Sequence, residues 1–230
     1  MATRSAANAA AGPLPAVAPP GRDGRVAKGE AARGRILAAA EAAFAEQGFA
    51  GASLRGIGAA IGMGNAALLH HFPNKRRLYA AVLQAIADEL QAVLSRPVRG
   101  ADLHGIAGGF LDWSVARPQA ATLILRELLD NPARAERARS WPMQPLMRQL
   151  EAAAAQAARG GPMDGQDPMI IAFQVIGAIA YVTAGRRTIA ALMDTAPETV
   201  IDRLRAALHA QIDAITAAPR AGAAATGGKP

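Results

Sequence analysis

An all-α fold is what this 230-residue sequence predicts, and three observations predict it. Apolar residues recur at helical spacing in segment after segment, which gives each helix one face to bury. No stretch sustains the strict alternation of a half-buried strand. Residues suited to capping (Ser53, Asn74, Asp167) stand just ahead of the periodic segments, where a side-chain oxygen can accept from a free backbone N–H. Alanine is so abundant that helix propensity alone discriminates little, so spacing and caps decide. They divide the chain into a short helical cluster over residues 28–79 and a larger helical body over residues 80–216.

Residues 1–27 precede the cluster. They are rich in Ala, Pro and Gly without apolar period, so a disordered arm is expected, with Arg22, Arg25 and the adjoining Lys28 available to a polyanion. Pro13, Pro15, Pro19 and Pro20 interrupt every candidate for the roughly 7–15-residue apolar core of a signal peptide. A cytoplasmic protein is expected. Residues 217–230 read as a second disordered tail.

The first helix of the cluster carries Ile36, Leu37, Ala40 and Phe44 along one stripe. Gly48 is placed to end it, with Phe49 supplying the hydrophobic contact that accompanies such an end. Ser53 then caps a second helix bearing Leu54, Ile57 and Ile61, and Gly62-Met63-Gly64 breaks it early. A third helix, from Asn65 to His71, has Leu68 and Phe72 as anchors. Pro73 stops it, because proline disfavours helical backbone in the residue before it, and Asn74 caps a fourth. Two short helices joined by a tight glycine-containing turn form a helix-turn-helix, whose second helix enters the DNA major groove.

Charge supports that reading. Residues 22–79 hold nine Lys and Arg against four Asp and Glu, whereas residues 80–216 hold thirteen against fourteen. A basic head on a near-neutral body suits a nucleic-acid reader better than a uniformly basic surface would. Lys75, Arg76 and Arg77 open the fourth helix, where the macrodipole disfavours surface cations by roughly 0.3–1 kcal/mol each. A helix N-terminus is itself an anion site, so Lys75 is expected on a phosphate, while Arg76 and Arg77 serve equally as a solvated face. Ser53, Arg55 and His71 are further phosphate candidates. Asn65 is placed to pair with adenine, or to act as a helix cap, and Ala66 or Ala67 to meet a thymine methyl. Leu54, Gly64, Leu69 and His70 complete the expected surface, with packing against the first helix as the alternative for His70.

The body reads as helices over Asn74–Leu94, Asp102–Ala116, Pro118–Leu129 and Pro142–Ala158, with Pro97 and Pro132 as interruptions and a flexible RGGPMDGQ loop following. Asp167-Pro168 starts a strongly apolar helix over Met169–Ala184. Thr195-Ala196-Pro197-Glu198 reads as a capping box for the last helix, which carries Ile201, Leu204, Leu208, Ile212 and Ile215 on one stripe. The Met169–Ala184 run contains Gln174 and falls short of the roughly 20 residues a bilayer requires, so no membrane partner is expected. A helix apolar on nearly all sides is otherwise buried, here between its own core and a second copy. Gly177, Ala178 and Ala180 permit close helix approach, and a homodimer through the last two helices follows.

Several activities are excluded. The chain has no cysteine, which removes disulfides, thiolate metal sites and cysteine nucleophiles. Gly58, Gly62 and Gly64 have a dinucleotide-binding spacing, but the preceding GFAGASLRGI makes no buried strand, and neither Tyr79 nor Tyr181 has a Lys four residues on. HExxH, P-loop and GxSxG motifs are missing, and His104 and His209 stand isolated in the sequence. Neither catalysis nor a cofactor is expected. Trp113, Arg126, Phe173 and Tyr181, with Glu127 and Trp141, lie on body segments able to line a ligand pocket, although packing or an internal ion pair is the plainer use of each. Aromatics make up only 4% of the chain, and the many small aliphatic side chains point to an apolar ligand.

The segments RILAAAEAAFAEQGF, SLRGIGAAIGMG and ALLHHFPNKRRLY together resemble the DNA-binding domain of the TetR family of transcriptional regulators. The resemblance covers about fifty residues with several anchors in fixed register. It implies an all-helical homodimer, with a three-helix reading head on a larger domain that binds an effector and dimerises. It also implies a ligand-responsive regulator, most simply a repressor, on a palindromic double-stranded DNA operator, with an unidentified small-molecule effector. Gly64 and Asn65 replace a more usual Ser and basic residue, Ala67 a frequent Thr or Ser, and Leu69 a frequent phosphate-contacting Tyr. Gly56 and Gly58 lie inside the second helix, each roughly 1 kcal/mol less favourable there than Ala. A helical dimer that binds a protein or membrane partner without reading DNA is the alternative that these departures favour.

Overall fold

The computed structural model describes residues 22–95, 102–130 and 142–217, and every regular element among them is helical. Expectations for residues 1–21, Pro97, Pro132, Trp141 and residues 218–230 lie outside the described residues. The first helix, α1 (Arg22–Gly51), begins earlier than expected, so residues 22–27 are helical rather than part of an irregular arm. No proline follows Pro20 in this region, and the Ala, Lys, Glu and Arg beyond it are good helix formers. Gly48 interrupts α1 with φ 70° and ψ 175°, a conformation in which a Cβ is strained. Phe49 then turns against Phe44 and Tyr79, with ring centroids 6.2 and 5.0 Å away.

Helices α2 (Leu54–Ala60) and α3 (Asn65–His71) form the expected helix-turn-helix. Ser53 Oγ accepts from the Gly56 N–H at 3.0 Å, and Asn74 Oδ1 accepts from the Arg77 N–H at 2.9 Å to start α4 (Lys75–Leu94). Both interior glycines of α2 have a steric reason. A Cβ on Gly58 would lie 2.7 Å from the Met63 carbonyl oxygen, and one on Gly56 would lie 3.1 Å from the capping Ser53 Oγ. Met63 N–H donates to Gly58 O at 2.8 Å, so the turn folds directly onto the glycine.

The body comprises α5 (Leu103–Ala116), α6 (Pro118–Asp130), α7 (Gln144–Ala158), α8 (Pro168–Leu192) and α9 (Pro197–Thr216). Its core includes Leu90, Ile106, Leu123, Leu150, Ile171, Val175 and Ile212, all at most 2% exposed. One hydrophobic core runs without a break from Ile36 and Phe44 in α1 through α4 to Ile215 in α9. Asp167 caps α8 as expected, its Oδ1 accepting from Met169 N–H at 2.8 Å. The RGGPMDGQ segment, expected to be flexible, is a chain of turns closed by hydrogen bonds such as Gly160 N–H to Asp164 Oδ2 at 3.0 Å.

Three expectations are corrected. Helix α8 does not stop at Ala184 but continues through Gly185, Arg186 and Arg187 to Leu192. At 25 residues it is long and apolar enough, by length and composition, to cross a membrane, so the argument from shortness fails. It packs on α5, α6, α7 and α9 through Ile171, Val175, Ile179, Thr183 and Ala190. The capping box before α9 does not form: Ala196 occupies the cap position without a side-chain bond, and Thr195 N–H turns back to Ala190 O at 3.0 Å. His104 and His209, isolated in sequence, stack across α5 and α9 with centroids 5.2 Å apart, and His104 Nε2 lies 3.0 Å from Asp213 Oδ1.

Gly58→Ala should destabilise the protein by about 1–3 kcal/mol, because the new Cβ meets backbone rather than a yielding side chain. Gly56→Ala should stay within about 1 kcal/mol, since helix propensity offsets crowding of a movable hydroxyl. Urea denaturation of both variants decides the point. Equal stability for the two would refute this reason for the Gly58 position.

Candidate nucleic-acid interface and its attachment to the body

Helix α3 is held from below by Leu68, fully buried, and by Phe72 just past its end. Asn65, Ala66, Ala67, Leu69 and His70 are exposed, and His71 is half-exposed. Gly64 is the cap residue of α3 and Asn65 its first helical residue, so the capping alternative for Asn65 is not realised. The Asn65 amide makes no hydrogen bond among the described residues and remains available for a base edge. His70 is exposed, and its ring meets that of His71 edge-on at 5.8 Å. Ser53 and Arg55 are exposed at the start of α2, with Leu54 half-buried between them.

Lys75 behaves differently from expectation. Its Nζ donates to Ala52 O at 2.9 Å and Ala50 O at 3.2 Å, and lies 4.6 Å from the centre of the Phe49 ring. The chain leaves regular helix around Gly48, so carbonyls there lack helical partners, and Lys75 takes two of them. The expected phosphate ligand is therefore first a strap between the end of α1 and the start of α4. Arg76 and Arg77 remain exposed beside it. Arg33 was not anticipated: its guanidinium lies 4.5 Å over the Phe72 ring, placing a cation at the end of α3. Local pattern could not reveal a pair so far apart in sequence.

Polar contacts join this head to the body. Arg117, the residue ending α5, donates to both oxygens of Glu41 on α1, at 2.8 and 3.1 Å, and to Glu89 on α4. Trp113 Nε1 also donates to Glu89 at 3.1 Å. Burial alone would lower the Arg117 pKa, but hydrogen bonding and charge from Glu41 and then Glu89 outweigh it, and the pKa is raised. Tyr79 on α4 donates to Glu127, which is buried on α6. Arg126 lies at the same junction, with one guanidinium nitrogen 3.4 Å from where a Gly48 Cβ would stand.

A cavity of about 80 Å³ lies between α4, α5, α6, α7 and α8, walled by residues that include Leu90, Leu94, Phe110, Ile124, Met143, Leu150, Ile176 and Gly177. Of the four pocket candidates, Phe173 lines it. Trp113 stacks behind Phe110 at 6.1 Å, Arg126 belongs to the head–body junction, and Tyr181 is 69% exposed on the outside of α8. The described residues contain no group of three or more His, Asp or Glu able to hold a metal ion.

Comparison with known proteins places this geometry. Residues 36–82 match the model for bacterial regulatory proteins of the tetR family. The chain carries a TetR-family domain. The HTH-type transcriptional repressor SCO4008 of Streptomyces coelicolor is 34% identical over 98 residues, covering 43% of this chain and 50% of that one. The chain thus spans about half the length of the curated relatives it matches. The TetR-type fold extends further: SCO4942 of Streptomyces coelicolor aligns with TM-score 0.62 and 28% identity over 81% of this chain and 99% of its own. AibR, solved in complex with isovaleryl coenzyme A and operator DNA, aligns with TM-score 0.55 and 24% identity over 75% and 97% respectively, a likeness of fold. An N-terminal TetR helix-turn-helix domain followed by a larger helical domain is therefore the architecture of this chain.

Lys75→Ala should cost about 1–2 kcal/mol of stability by removing two charge-assisted hydrogen bonds at a half-exposed site. It should weaken DNA binding only through the displaced head. Denaturation without DNA checks this, and a variant as stable as its parent would return Lys75 to a purely phosphate-binding role.

Proposed function

We propose that the protein is a ligand-responsive transcriptional regulator, most simply a repressor, that binds a palindromic operator as a homodimer in the cytoplasm and is released by a small-molecule effector. The observation that carries this reading is α3, a helix of a TetR-family domain that buries Leu68 and turns Asn65, Ala66, Ala67, Leu69 and His70 outward. Base edges are the role assigned to Asn65, Ala66 and Ala67, with Gly64 allowing close approach. Backbone contact is assigned to Ser53, Arg55, His71 and Arg33, with Leu54, Leu69 and His70 at the margins.

A dimer is supported by the outer side of α8, where Ile170, Phe173, Tyr181 and Leu192 are 41–82% exposed. Apolar side chains at that density call for a partner. The same helix buries six positions along its length against four others, so a second copy of α8 and α9 is a better covering than lipid. Two heads fixed on such a dimer meet successive major-groove faces only when about 34–36 Å apart, or a multiple of that. An effector that favours another spacing lowers operator affinity by the ratio of its affinities for the two states. AibR provides a precedent on the same fold, with a ligand and operator DNA in one complex.

Binding to duplex DNA at a series of salt concentrations tests the proposal. The log–log slope should approach about −0.9 for each phosphate neutralised, and Arg55→Ala should make it shallower by roughly one such step. Asn65→Ala should instead alter sequence preference while leaving the slope unchanged. Binding insensitive to salt would identify apolar association and defeat the DNA-reading role.

A further inference from the structure

We infer that the body cavity accepts an uncharged hydrocarbon group, a single ring or a short alkyl chain, and rejects charged ligands; this rests on the effector-responsive reading above. Every described residue in its wall is apolar, from Leu90 on α4 through Phe110 and Ile124 to Leu150 and Ile176. A carboxylate or ammonium placed there would lose water and gain no partner, which is the most expensive arrangement a protein interior offers. A quaternary ammonium would find two aromatic rings among the described wall residues, Phe110 and Phe173, rather than a cage.

The polar groups nearby are already satisfied among themselves. Gln91 and Gln149 bond each other at 3.0 Å, Trp113 Nε1 is engaged by Glu89, and Thr183 Oγ1 donates to Ile179 O at 2.6 Å. Ser114 Oγ is buried without a partner among the described residues, but Ser114 is not part of the wall. Among the described residues, no donor or acceptor is therefore held in reserve for a polar ligand at the cavity surface. Size narrows the class further. The volume of about 80 Å³ is roughly half that of an apolar cavity known to take benzene, about 150 Å³, so a short alkyl chain fits inside whereas a ring must stand partly in the opening. Leu128 and Phe173, each about two-fifths exposed, stand at its edge, so the remainder of a longer molecule can emerge between α6 and α8.

The cavity also touches the elements that hold the head. Its wall includes Leu125 and Leu128, two residues before and one after Glu127, and Leu90, which neighbours Glu89. Glu127 holds Tyr79, and Glu89 holds Arg117. A ligand in the cavity would therefore bear on α4 and α6, the helices that carry Glu89 and Glu127.

Thermal melting of the full chain with benzene or n-butylbenzene, against benzoate and benzylammonium, tests the assignment. The neutral probes should raise Tm by about 3–6 °C at tenfold excess over their Kd, and the charged ones should not. Ile176→Phe fills the cavity and should abolish the shift; if it does not fold, Leu125→Phe makes the same test from α6. Charged probes raising Tm, or neutral probes acting equally on the filled variants, would overturn the assignment. The same probes added to the protein on duplex DNA separate the two readings. A charged molecule that releases DNA would sink the apolar ligand class and leave the regulator standing. Neutral binding by a chain that never engages DNA would support the cavity assignment and sink the regulator.

Discussion

Arg117 holds carboxylates from two helices at once, Glu41 on α1 and Glu89 on α4, and the position of the reading head depends on that grip. A half-exposed guanidinium between two partly buried carboxylates remains charged at any accessible pH. Its planar fork fixes direction as well as distance. Helix α4 runs unbroken from Lys75 to Leu94, so a boundary drawn between residues 79 and 80 cuts through one rigid element. Head and body therefore share a helix, share a core and share this clamp.

The head is economical in a similar way. Seven residues of α3 rest on Leu68, with Phe72 beyond them, so the remaining positions need not serve the core. The turn that aims α3 is fixed by the Met63 carbonyl lying where a side chain on Gly58 would be. Lys75 closes the far side by capping the last carbonyls around α1, and Phe44, Phe49 and Tyr79 fill the space beneath with edge-to-face contacts. A small unit gains its rigidity from a few crowded contacts and leaves its outer face free for variation.

Features whose cause is local were legible in the sequence. Ser53, Asn74 and Asp167 cap helices because their oxygens reach N–H groups two or three residues ahead, and Gly48 and Gly62 adopt positive φ where the pattern breaks. Features whose cause is distant were not. Lys75 looked like a phosphate ligand because nothing nearby in the chain announced the carbonyls of Ala50 and Ala52. Arg117 attracted no attention, since its partners lie 76 and 28 residues away. The polar GRRT stretch disguised the continuation of α8, which ends only where Asp194 takes a positive φ. Among the described pocket candidates chosen for chemical character, Phe173 alone reached the wall, because the wall is built from ordinary aliphatic side chains that no motif distinguishes.

Selection of the purified protein against a randomised duplex pool tests the central claim most directly, because it asks whether the exposed face of α3 reads sequence at all. Enrichment of an inverted repeat, with half-sites about one helical turn or a multiple apart, is expected from two heads on a symmetric dimer. No enrichment over the input pool, from protein shown to be folded and dimeric, would contradict it.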